Sequence, residues 1–389
     1  MKGHIRDARR LGRAWLALSM LVAAAAALAA DEQALLPPLK TISTIASTVP
    51  GNGDVNPYGV AEVRQTVGNL RAGHILVSNF NDSANVQGTG STIVDVAPDG
   101  TTSLFAAVNA TTLPGSCPGG VGLTTALVVL DQGWVIVGSL PTTVNGAGNT
   151  VFTGAGCLIV LDSLGNAVET FYGSLINGPW DMAAFDGEHE AKLFVSNVLN
   201  GTVAAGGSVV DGGTVTRLNL KVSTSAMPVL ESITVIASGF PEETNSAALV
   251  IGPTGVALHA GCASDGDECG GDHDGARLYV ADTLNNRIAV IDHALGRTTS
   301  AGTGRTLTAG GSLNAPLGLI VTPGGDLLTV NGGDGNIIEI SPGGVQRAKK
   351  LLDTVGSPEG AGALFGLAYD PAHGVYFVDD NTNTLNLLH

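Results

Sequence analysis

Short runs of aliphatic, β-branched and aromatic residues recur along the chain. Each ends in Asn or Asp and gives way to a polar turn. "LYVADTLNNRIAVID" begins at Leu278, "LLTVNGGDGNIIEIS" at Leu327, "VYFVDDNTNTLNLL" at Val375, "LFVSNVLNGTV" at Leu193 and "ILVSNFNDSAN" at Ile75. Where the turn is short, a second apolar run follows at once, the pattern of a β-hairpin. A degenerate sixth copy, "WVIVGSL" from Trp134, ends in Ser139. A Gly- or Pro-marked apolar run precedes every copy: "NPYGVAEV" at Asn56, "CPGGVGLTTALVVL" at Cys117, "GPWDMAAF" at Gly178, "GPTGVAL" at Gly252, "APLGLIV" at Ala315 and "LFGLAY" at Leu364. The units recur roughly every fifty to seventy-five residues, and six units of about four short strands predict an all-β, six-bladed β-propeller.

The two ends of the repeat complement one another. The last unit runs out at His389 after three strands. "LKTISTIASTVP", from Leu39, resembles "ESITVIASGFP" from Glu231, which falls at the fourth-strand position of the third unit. The N-terminal strand is therefore expected to complete the last blade, removing the open sheet edge.

"PTGVAL" followed by "LYVADTLNNRIAVID" resembles the NHL repeat and the related YVTN repeat of bacterial surface and secreted propellers. The resemblance is good in the fourth to sixth units, loose in the first and third, and poor in the second. It implies a propeller and export-compatible repeats. It does not single out one activity, because such propellers include lyases, metal-dependent lactonases and pure binding modules.

Strand order assigns the two faces. With the innermost strand running down, the Pro/Gly lead-ins and the Asn/Asp-ended turns lie on one face, the top. Asn79, Asn197, Asp282, Asn331 and Asp380 recur at one repeat position there. Such residues cap their own turns; as a ring around a channel they would also offer oxygen ligands to a hard cation. Asp282 in "YVAD" resembles the metal-binding aspartate of gluconolactonase-like propellers, although that family's early glutamate has no counterpart in "NPYGVAEV". Tyr58, Trp180 and Phe365 sit at equivalent lead-in positions, where they would stack on a ligand or pack between blades. Gly-rich extensions in the first three units would stand over half of the ring, as a wall for a groove or as plain surface loops. Glu242 and Glu243 in "GFPEETNS", and Glu359, read as acids of solvated top loops.

Composition adds a compartment. Arg6, Arg9, Arg10 and Arg13 precede an apolar run from Trp15 to Leu28, and Ala27-Leu28-Ala29 suits signal cleavage. Residues 1–29 read as a signal peptide and 30–389 as a single propeller domain, periplasmic or extracellular, with no membrane span in the mature chain. The full chain carries a net charge of −16. Cleavage leaves thirteen basic against thirty-three acidic residues, a net −20, which argues against nucleic acid as a partner. Four cysteines in an exported chain suggest two disulfides. The map of the faces pairs Cys117 with Cys157 on the second blade, and Cys262 with Cys269 across a loop beneath the fourth.

That lower loop, "CASDGDECGGDHDG", gathers Asp265, Asp267, Asp272 and Asp274. Calcium is the cofactor such oxygens would accept, but the spacing departs from an EF-hand. Cys269 replaces the fifth ligand and Ala276 the closing glutamate. A stapled, solvated insertion is the plainer reading. No histidine maps to the top mouth, and G-x-S-x-G, H-E-x-x-H, Walker and C-x-x-C-H patterns are missing. The expectation is a binding module holding a protein, glycan or small-molecule ligand on the top face. The alternative is a metal-dependent, lactonase-like hydrolase or a lyase working through the Asn/Asp ring.

Overall fold

The computed structural model describes residues 34–245, 248–261 and 275–389. These form six antiparallel blades around a central channel. Their innermost strands are Val55–Glu62, Leu123–Val129, Pro179–Asp186, Pro253–His259, Pro316–Val321 and Leu364–Asp370. Each blade carries three further strands outward, and the third adds a short fifth, Leu249–Ile251. The expected six-bladed propeller is the observed architecture.

The ring closes as the end-to-end complement predicts. Ile42–Ser47 is the outermost strand of the sixth blade and pairs with Thr384–Leu388, from Ile42 opposite Leu388 to Ser47 opposite Thr384. A second tie lies just upstream. The buried Glu339 carboxylate accepts the backbone N–H groups of Leu35 and Leu36, the latter at 2.8 Å. Leu36 is itself buried in the layer between the fifth and sixth blades. The N-terminal segment is thus held by sheet pairing, by a charge-assisted pair of hydrogen bonds and by apolar burial.

Apolar layers fill the spaces between adjacent blades. Between the first and second lie Leu76, Ile93 and Phe105 against Leu127, Val137 and Ile159. Between the third and fourth lie Phe194, Val215 and Phe240 against Leu278, Val280 and Ile291. The middle strands of each blade are covered on both faces, so they read as continuous apolar runs rather than alternating ones.

The repeated Gly of the lead-ins has a steric reason. A Cβ on Gly255, Gly318 or Gly366 would lie 2.1 Å from Leu317 O, 1.9 Å from Phe365 O and 2.3 Å from Tyr58 O respectively. In each case the neighbour is the innermost strand of the next blade, so only Gly allows the strands to converge on the channel. Strand register puts Thr125 and Asp181 at this same place in the second and third blades. There the neighbouring innermost strands admit a side chain.

Cys117 and Cys157 form a disulfide on the second blade, as the face map predicts. The Cys262–Cys269 pairing and the Asp265, Asp267, Asp272 and Asp274 cluster lie outside the described residues. Among the described residues, no helix is long and apolar enough to cross a membrane.

Candidate functional site

The channel holds two cavities, end to end. Thr125 lines both and marks the waist between them. The upper one, about 360 Å³, lies under the top face. Its floor is built by one position of the repeat, the residue just before the converging Gly. That position is Tyr58 in the first blade, Thr124 in the second, Trp180 in the third, Leu317 in the fifth and Phe365 in the sixth. The three aromatic residues singled out in the sequence are therefore brought together. Tyr58 is stacked between Phe80, at 4.5 Å between ring centroids, and Phe365, at 3.9 Å.

The walls come from connections above the blades. Leu140, Gln87, Ala315, Gly332 and Gly333 contribute, as do Asn245 and Ala248–Ile251 from the turn that joins the third blade to the fourth. In that turn Glu243 pairs with Ile251 and Asn245 with Leu249. The Gly-rich extension that follows Val198 forms a single helical turn, Thr202–Ala205, and does not line the cavity. The wall on that side was instead hidden in "GFPEETNSAALVIG", where the sequence suggested a solvated loop.

Glu242 is the sharpest departure from expectation. It belongs to a 17-residue strand, Val229–Asn245, that continues through Pro241 by shifting register between the Gly213–Phe240 and Val210–Glu242 pairs. Its side chain is fully buried, packed against Gly212 and Gly252, with the Asn200 backbone as its polar neighbour and no side chain among the described residues hydrogen-bonded to its carboxylate. Burial pushes its carboxyl up to about 8. It is a neutral acid at pH 7, at the base of the turn that walls the cavity.

The Asn/Asp ring is largely spent on the fold. Asn79 donates to Thr48 O at 3.0 Å and lies beside Thr92. Asn197 accepts the Asn177 N–H and donates to Val195 O. Asn331 accepts the Asn314 N–H and donates to Ser312 O and Asp334. Asp282 is fully buried against the Arg287 guanidinium at 2.7 Å. Register assigns the sixth place to Asp379, opposite Leu364, just as Asn79 is opposite Pro57 and Asn331 is opposite Pro316. Asp380, one residue further, leaves the ring and faces the upper cavity.

Asp380 is the one carboxylate that lines this cavity among the described residues, and it accepts no hydrogen bond from any of them. Burial, and secondarily the Asp379 charge, push it up to about 7. Burial and then Asp380 raise the Tyr58 hydroxyl far above its usual range, so it stays neutral. Asn56, with φ near 63°, lies beside Tyr58 and interacts with its hydroxyl through its side chain; its Oδ1 is sealed from solvent.

The lower cavity, about 260 Å³, is lined by the descending ends of the innermost strands. Glu62, Arg64, Asp181 and Asp186 make it the more polar of the two. Asp181, pushed up by burial to about 7, accepts the Val256 N–H at 2.9 Å and so ties the third blade to the fourth. No described histidine lines either cavity. His74 is paired with Asp95 at 3.0 Å, and His389 contacts Ser43 at 2.9 Å.

Calcium takes six to eight converging oxygens. Asn197 and Asn331 are engaged by backbone, while Asn79 and Asp282 each keep one buried Oδ1 without a partner among the described residues, and Asp380 faces the cavity. Among the described residues no three His, Cys, Asp or Glu side chains gather to hold a metal.

No family model matches the sequence, and no curated protein sequence matches it either. Solved structures do. A gluconolactonase from Xanthomonas campestris is similar over 89% of this chain and 88% of its own, with 14% identity and a TM-score of 0.53. A calcium-binding protein, regucalcin, from Agrobacterium tumefaciens is similar over 89% of this chain and 93% of its own, with 12% identity and a TM-score of 0.51. At such identities the likeness is one of fold. The chain is a β-propeller; the NHL label that its repeats suggested gains no support from a family match.

Proposed function

We propose that this exported propeller takes a small organic molecule into its upper cavity, with the molecule's apolar body against Tyr58, Trp180, Phe365 and Leu317. The observation that carries the reading is the cavity itself. It is concave, floored by stacked rings, and polar at few points, the usual make-up of a small-molecule site. This favours a small molecule over a glycan or a protein partner, which would use exposed loops. Export is supported by the signal-like residues 1–29 and by the Cys117–Cys157 bridge, which belongs in an oxidising compartment.

Hydrolysis is a second reading, favoured by one observation. A carboxylate that ionises near neutrality in an apolar cavity is suited to general-base work, and Asp380 is such a group. The gluconolactonase of similar fold lends this weight. The test is a thermal-shift screen of small lactones, aryl alcohols and sugars on the mature protein and on Leu317→Phe, which narrows the cavity. Stabilisation by apolar compounds, lost in the variant, supports the small-molecule reading. Stabilisation by sugars alone, indifferent to the variant, refutes it.

A further inference from the structure

We propose that the molecule held in the upper cavity is an organic ammonium, with a ring-sized apolar body on the floor and a protonated amine at the Asp380 end. This rests on the small-molecule reading above and adds to it the sign of the ligand's charge.

The lining fixes both ends of the ligand. The ionic lining is of one sign: Asp380 faces the cavity and accepts no hydrogen bond from the described residues, while no Lys, Arg or His lines it among them. The floor is aromatic and apolar, with Phe80, Tyr58 and Phe365 in a stack and Trp180 on the same level, and suits a ring-sized apolar body. An ammonium on such a body answers both. A carboxylate or phosphate would meet Asp380 with like charge. A neutral alcohol leaves Asp380 unanswered.

The groups facing Asp380 fit this use. Asp379, its chain neighbour, accepts the Thr382 N–H and adds negative charge. Tyr58, across the cavity floor, is neutral throughout the working range. No base competes with an incoming amine. Asp380 titrates at about 7 when the cavity holds no cation, and an ammonium beside it would draw off its proton. The acidic surface adds a long-range pull on cations.

The experiment is calorimetric titration of the mature protein with 2-phenylethylamine and with 2-phenylethanol, matched in shape and different in charge. At pH 8 the amine is expected to bind about tenfold or more tightly than the alcohol, the scale of one charge-assisted hydrogen bond. Asp380→Asn, nearly isosteric, should abolish that preference by weakening the amine alone. Lowering the pH of the unaltered protein from 8 to 6 should weaken the amine and leave the alcohol unchanged. This pH series carries the same test should the variant fail to fold. Equal affinity for the two compounds, or a preference that survives both Asp380→Asn and the pH series, overturns the ammonium proposal and leaves the cavity reading standing. Binding of neither compound overturns both.

Discussion

Glu242 offers a quantitative check on the packing around the cavity wall. Its carboxyl is buried beside the Asn200 backbone, and burial outweighs that contact to give a folded-state value of about 8 against an ordinary 4.5. Between these values the folded chain holds a proton that the unfolded chain has released. The folded state binds more protons, so stability falls as pH rises through this window. Below 4.5 the penalty is absent; above 8 it is complete. Each unit corresponds to ~1.4 kcal/mol, which puts full linkage near ~5 kcal/mol. Opening of the neighbouring turn would admit water to the ionised carboxylate and relieve about half of that, leaving roughly 2–3 kcal/mol. Glu242→Met keeps the volume and removes the titration. Urea unfolding at half-unit steps from pH 4.5 to 9 should show the unaltered protein losing roughly 2–3 kcal/mol relative to the variant, mostly between pH 5 and 8. Asp181 and Asp380, also raised, titrate in both proteins and cancel in the difference. Parallel curves for the two proteins would refute the buried placement.

Two further outcomes follow from closure and cross-linking. The Cys117–Cys157 bridge closes a 40-residue separation, and replacing both residues by Ser should cost about 3–4 kcal/mol by chain entropy; an unchanged unfolding midpoint would contradict the bridge. Glu339→Ala removes the acceptor of the Leu35 and Leu36 N–H groups and should cost about 2–3 kcal/mol. It should also make residues 34–47 the first site of limited proteolysis, whereas an unaltered cleavage pattern would show that the tie does not hold the strand.

The propeller was legible because its signals are local and repeated. Apolar runs, Asn/Asp-ended turns and converging glycines recur in every unit or nearly so, and each reflects a steric or hydrogen-bonding need of one blade. The floor aromatics were legible for the same reason, since Tyr58, Trp180 and Phe365 share one repeat position. Asp380 was placed in the ring because "VDDN" offers two adjacent aspartates. Only strand register, set by pairing across the blade, separates Asp379 from it. Glu242 was misread because Pro241 and two acids look like a loop. Its burial depends on Gly212 and Gly252, residues distant in sequence or across a turn, whose missing side chains make room for it.

The small-molecule reading is most directly tested by fluorescence. Once residues 1–29 are removed, Trp134 and Trp180 are the remaining tryptophans, and Trp134 lies away from the cavity, with its indole N–H bonded to Ser223 O. In Trp134→Phe, Trp180 alone reports on the cavity floor. Titration with 2-phenylethylamine should give a saturable, one-to-one change in Trp180 emission that Leu317→Phe weakens at least about tenfold by narrowing the cavity. No saturable change with either 2-phenylethylamine or 2-phenylethanol, or one that Leu317→Phe leaves intact, would contradict a ligand site in the upper cavity.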